Sequence, residues 1–486
     1  MRHALAACLL AMIAATGAEA ATRTWQGDVD QNWSTAGNWA ENVAPVDGDD
    51  LVFPDSPTSR TSNNDLVSLT LASVLVTTTD TGADYNFTGN GIGVTGPVTF
   101  NNNGVGGPST THWQIIVTVG APITLTTTGR LTSFEGNISL GVNTLTLAVG
   151  GDLTISGIIA GAGAITKNGV ATLALTNTNS YAGATQVNGG TLRTESAGAL
   201  GNSATGTTFA SGTQLHVASG PYTLPEPLTF SGPAGTVVMG SGNNVLSGAL
   251  GFTGTLTFQM DVSGGLSGAI TSAGTLVVTG PGALSTAGDS PAFTGIVDIQ
   301  SGGFIPQSAF PAAINLQAPG SLFGTATSGL LTMTGGTFAP GIVQQFFAPA
   351  GLASSGGLHN LVMVPGAPVT NYDQIQVTGA VSLGGTTLNT TAAGVLPLGL
   401  TFVIILNDGA DPVVGTYAGK PEGATYFQAN NWFTITYVGG DGNDVVLTTV
   451  AAPAPSPSVP VPGPGPLALA LAVVAIIVLA RRRSMR

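Results

Sequence analysis

The chain has 486 residues, with 11 Lys and Arg against 24 Asp and Glu and a formal net charge of −13 at pH 7. No Lys or Arg lies between Arg193 and Lys420, so the cationic groove that a phosphate backbone requires is missing and nucleic acid is excluded as a partner. With 71 Gly and only 7% charged residues, the chain lacks the blocks that build amphipathic helices, while its Val, Ile, Thr and Leu in period two argue for folded β rather than disorder.

Residues 1–20 carry Arg2 and His3, an apolar run over 4–15, and Ala18-Glu19-Ala20. This is the pattern of a secretory signal helix, with Ala18 and Ala20 as the small residues of the cleavage site. Leu5-Ala6-Ala7-Cys8 also spells a lipobox, but it stands too near the start for an apolar segment to precede it. Cys8 is the single cysteine, so removal of the signal leaves a mature chain without disulfides.

Residues 21–60 hold Trp25, Trp33 and Trp39 with Phe53 close behind. A repeat array must close its first coil against water, and large rings with a polar edge suit that task. The alternative is a platform of exposed rings on which sugars stack. Asp28, Asp30, Asp47, Asp49, Asp50 and Asp55 fall in the same stretch and could gather round calcium, or serve only as solvated loop carboxylates.

Residues 61–370 read as strand, turn, strand, with the clearest unit at 157–192. Leu173, Leu175, Val187 and Leu192 would point inward while Thr172, Thr176, Gln186 and Thr191 point out. A weaker copy at 267–304 puts Phe293-Thr294-Gly295 for Tyr181-Ala182-Gly183 and Gly302-Gly303-Phe304 for Gly189-Gly190 and the closing apolar residue. Coils of about 20 to 25 residues rising ~4.8 Å would give a rod on the order of 80 to 100 Å long. The wording Lys167-Asn168-Gly169, Asn179-Ser180-Tyr181-Ala182-Gly183-Ala184-Thr185 and Gly189-Gly190-Thr191-Leu192 resembles the autotransporter-associated, or passenger-associated, β-strand repeat of bacterial surface proteins. That resemblance implies an all-β, right-handed parallel β-helix with capped ends outside the cell, and it implies no chemistry.

Residues 371–450 have longer strands and more aromatics, and resemble the C-terminal end of autotransporter-type passengers, read here as the closing cap. Gly439-Gly440-Asp441-Gly442-Asn443-Asp444-Val445-Val446-Leu447 matches the calcium nonapeptide in wording, although one copy supplies half a site. Such passengers continue into a membrane barrel; this sequence continues into a Pro-rich linker at 451–466, an apolar run at 467–480 read as a transmembrane helix, and a basic tail at 481–486. The order of Pro460 and Pro462, short span and Arg481, Arg482 and Arg483 resembles PEP-CTERM and IPTL-CTERM sorting signals. That resemblance implies an exosortase-type membrane protease as partner. The Glu of a Pro-Glu-Pro signal is missing, and the alternative reading is a simple tail that anchors the protein in the membrane permanently.

No catalytic, cofactor or metal residue stands out. His112, His216 and His359 are far apart and read as turn or surface histidines. Glu226, Asp261, Asp289 and Asp298 are the only acids between 201 and 371, and they offer no acid and base pair. The expectation is an exported, non-enzymatic surface or matrix protein, structural or adhesive, with surface glycans or matrix polymers as partners. The alternative is a secreted polysaccharide lyase or hydrolase on the same scaffold.

Overall fold

The computed structural model describes residues 20–79, 84–103, 110–340, 346–368, 371–409, 411–454, 473–477 and 479–481. Ala18, Pro460, Pro462, Arg482 and Arg483 lie outside these, as does most of the expected signal helix and membrane span; Ala20 is exposed, and Arg481 ends a short exposed helical piece. Among the described residues no helix is long and apolar enough to cross a membrane. The chain divides into two compact units, Met1–Thr449 and Val450–Arg486.

The first unit is an all-β parallel solenoid. Alternation along each short strand puts one set of side chains inside, and stacking satisfies every strand's backbone groups from the coils above and below. Three ladders result. The first runs in twelve strands from Thr22–Thr24 to Ile270–Ser272. A second, open ladder runs from Thr61–Asn64 to Val381–Leu383, each strand pairing in parallel with its neighbours, and branches at Phe346–Ser354, which also pairs with Gln374–Val377. The third has six strands up to Ser180–Tyr181 and nine from Thr223–Leu224 onward. Between those two blocks, residues 195–206 form turns instead of a strand.

The expected inward residues are inward. Leu173, Leu175, Val187 and Leu192 are fully buried, and so are Leu145, Leu147, Leu153, Ile155, Leu276 and Val278. Leu145, Ile165 and Thr185 stand in register twenty residues apart. Further on, Val297, Ile314 and Leu331 stand in register only seventeen apart. In this region the first ladder has lapsed: after Ser272, single bridges at Phe293 and Phe310 stand in place of strands.

That lapse corrects the reading of residues 267–304. Tyr181 sits on the third face and Leu192 on the second, whereas Phe293 bridges to the first face and Phe304 lies on the third. The weaker copy repeats the same words one face later, because a Gly-bearing corner is needed wherever the chain turns.

Both ends of the solenoid are closed by aromatics. Trp25, Trp33 and Trp39 are buried around Phe53, with Trp25 and Trp39 edge to face at 5.2 Å. The stack continues inward through Phe87 and Trp113 to Phe134. At the far end the pairing turns antiparallel: Thr401–Asn407 with Asp444–Val450, and Thr425–Gln428 with Asn431–Gly439. Tyr417, Tyr426, Phe433 and Tyr437 pack there.

Candidate functional site

Three sites proposed from sequence resolve into structure. Burial of all three N-terminal tryptophans removes the sugar platform; Trp25 Nε1 donates to the Ser59 carbonyl and Trp39 Nε1 to the Trp33 carbonyl, each at 2.8 Å. The aspartates of that segment serve protein donors separately. Asp49 is buried against Arg23 at 2.7 Å and also accepts from the backbone N–H of Ala21 and Val46. Those hydrogen bonds, with the Arg23 guanidinium beside it, hold its carboxyl below the ordinary value against the opposing effect of burial. Asp30 accepts from Asn32 and Asn38, and Asp47 from the Thr70 N–H.

The nonapeptide turns from Asn431–Gly439 into Asp444–Val450, strands that each lie in an antiparallel pair, a geometry unlike a stacked parallel roll. Burial raises the Asp444 carboxyl, which accepts the Asn407 N–H at 2.9 Å. Asn443 donates to the carbonyls of Gly409 and Asp411. Among the described residues no group of three or more His, Cys, Asp or Glu could hold a metal.

The histidines differ from one another. His359 is no surface residue: it takes an inward position in the third ladder, in register with Phe338 and Leu388, and its Nδ1 meets the Tyr417 hydroxyl at 2.8 Å. Burial drives its pKa down to about 3. His112 pairs with Glu135 at 2.7 Å on the outer side of the second ladder, where Gln114 and Ser133 also donate to that carboxylate.

His216 lies farther along the same outer surface. Register places Ser133, Thr154, Ala174, Arg193 and His216 in one outward column. Beside it runs a second column holding Asp152, Thr172, Thr191 and Gln214. The two columns line a groove of about 340 Å³. Arg193 Nη2 meets Glu195 at 2.8 Å, while Arg193 Nε is buried without a hydrogen-bond partner. Asp152 accepts the Thr172 N–H at 2.8 Å, and the Thr191 hydroxyl donates to Gln214 at 3.1 Å. The His216 ring lies over Gly240, where a Cβ would stand 2.3 Å from Nε2. Burial and the nearby Arg193 charge lower the His216 pKa, leaving a neutral imidazole that both donates and accepts at neutral pH.

A larger hollow, about 570 Å³, opens where the first ladder lapses, but Asp289 is the one ionisable residue among those lining it. Binding sites combine an apolar floor with convergent polar groups, so the Arg193 groove is the stronger candidate. It holds no pair of carboxylates with separated affinities for a proton, the arrangement that glycoside hydrolysis needs. Glu226, whose pKa burial raises to about 7, faces the interior and accepts from Thr207 at 2.9 Å. Nothing in the spacing of Asp152, Arg193 and His216 marks them as neighbours; only the ladder register brings them together.

The passenger-associated-transport-repeat family matches residues 165–193, about one and a half coils. Over 152 residues, or 31% of this chain, the sequence is 38% identical to the adhesin BmaC autotransporter of Brucella suis biovar 1 (strain 1330), and the match spans 4% of that protein's length. The crystal structure of the Haemophilus influenzae Hap adhesin aligns over 83% of this chain and 63% of its own at 12% identity, with a TM-score of 0.25. The last figure is too low for any detail to be carried across. The chain is thus similar, in its repeat and in about a third of its length, to an autotransporter adhesin.

Proposed function

We propose that this chain is an exported, non-enzymatic protein of the cell surface or extracellular matrix, whose solenoid body is structural or adhesive, the adhesive role being the one favoured. The observation that carries this reading is a parallel solenoid, its second ladder continuous from Thr61–Asn64 to Val381–Leu383, whose coils include a passenger-type repeat at 165–193. The similarity to an adhesin over 152 residues supports it. We read the winding as right-handed, residues 1–20 as the export signal, and residues 451–486 as a sorting tail that an exosortase-type protease processes at the membrane. Surface glycans or matrix polymers are the partners this reading assigns.

Beads coated with the folded chain should adhere to polysaccharide-coated or cell surfaces above beads coated with the heat-denatured chain. Incubation with a polysaccharide panel should release neither reducing ends nor unsaturated products. Equal adhesion by folded and denatured beads, or release of either product, would refute the proposal. For the tail, mass spectrometry of native protein from the envelope should find a C-terminus upstream of Arg486.

A further inference from the structure

We propose that the groove over Ala174 binds a linear neutral oligosaccharide laid along the stack, with Asp152, Arg193, Gln214 and His216 bonding its ring hydroxyls. This rests on the adhesive reading and gives it a place on the molecule.

Four observations carry it. The groove crosses successive coils, whose outward positions repeat at the ~4.8 Å spacing of paired strands, so an extended polymer lying along the stack meets a new pair of side chains at each coil. Its polar groups are a guanidinium, a carboxylate, an amide and an imidazole, planar groups that present paired donors or acceptors to neighbouring hydroxyls. Ala174 forms a floor only 6% exposed and Leu131 an apolar wall 39% exposed, surfaces against which the C–H face of a sugar ring can lie. The Arg193 side chain is 41% exposed with only Nη2 engaged, by Glu195, so its fork of donors also faces the groove, where ligand hydroxyls can accept from it.

Charge selects among ligands. The Arg193 cation is matched by Glu195 at 2.8 Å, Asp152 adds a carboxylate whose charge is felt by Lys167, and the chain as a whole carries −13. An anionic sugar would meet repulsion there. Most of the side chains lining the groove are polar, which suits a neutral, hydroxyl-rich chain better than an apolar peptide.

The test measures binding of cellohexaose, laminarihexaose and maltohexaose, with hexamers of galacturonate and glucosamine as charged comparisons, to the full-length chain by calorimetry. At least one neutral hexaose should bind saturably and in preference to either charged hexamer. Arg193→Ala should weaken that binding at least about tenfold, a loss of ~1.4 kcal/mol. Ala174→Trp, which fills the floor from the outside and leaves the inward residues untouched, should weaken it similarly. Circular dichroism establishes that each variant is folded, and a variant that is not folded is replaced by Gln214→Ala. Absence of binding by all three neutral hexaoses, preference for either charged hexamer, or unchanged affinity in folded variants would overturn the inference. Bead adhesion measured alongside separates the two readings: beads that adhere while no neutral hexaose binds would sink the groove and leave the adhesive role standing.

Discussion

Lys167 occupies an inward position in the first ladder, in register between Leu147 and Val187. Its ammonium donates to the carbonyls of Gly169 at 3.1 Å and Gly189 at 2.6 Å, and burial lowers its pKa to about 8. The unfolded chain therefore binds the extra proton between about pH 8 and 10.5, so this residue makes stability rise with pH across that window. Urea unfolding at pH 7.5 and 9.5 should show a gain in the wild type that Lys167→Met lacks. Glu226 acts in the opposite sense. Its folded pKa of about 7 exceeds the ordinary carboxyl value of 4.5, so the native state holds the proton and stability falls as pH rises from about 4.5 to 7. Glu226→Gln should be nearly neutral at pH 4 and stabilising at pH 8, by up to about 3 kcal/mol, read as a pH-dependent difference in denaturation midpoint. Neither residue's burial was legible in the sequence: Lys167 reads as part of a turn motif, and Glu226 stands among prolines. His359 was misread for the same reason, since a polar side chain reveals an inward position only once the register of its strand is known.

At the scale of the element, alternation was the legible part. Runs such as Thr172–Leu175 announce which side chains face in, and the expected inward set is buried. Face assignment was not legible, because the corner glycines use the same words at every corner. Gly183 shows what those corners demand: a Cβ there would lie 2.4 Å from the carbonyl oxygen of Gly163 in the coil below. Gly183→Val should cost about 1–3 kcal/mol through forced separation of the two coils, measured by chemical denaturation. The N-terminal cap is a second element whose role could be argued in advance, since three tryptophans in one segment suit closure. Trp39→Ala should cost about 3–5 kcal/mol, with protection from hydrogen exchange lost first in strands Asp50–Phe53 and Thr61–Asn64. The candidate groove lay beyond sequence reading, because Asp152, Arg193 and His216 stand in three separate coils, 41 and 23 residues apart.

At the scale of the solenoid as a whole, each coil leans only on the one before and the one after, and stability is a sum over these contacts. The break in the third ladder at 195–206 and the lapse of the first after Ser272 remove strand pairing from two regions, so hydrogen exchange should be faster at those coils than in the coils between Ile123 and Val187. The regular register has a mechanical consequence. Drawn out from one end by optical tweezers, such a body yields in a sawtooth, one coil per tooth. Extension at about 3.5 Å per residue makes each tooth roughly 70 Å for the twenty-residue coils and roughly 60 Å for the seventeen-residue ones. A tether built this way surrenders length in small increments under shear, keeping the rest of its surface folded and still in contact with whatever it holds.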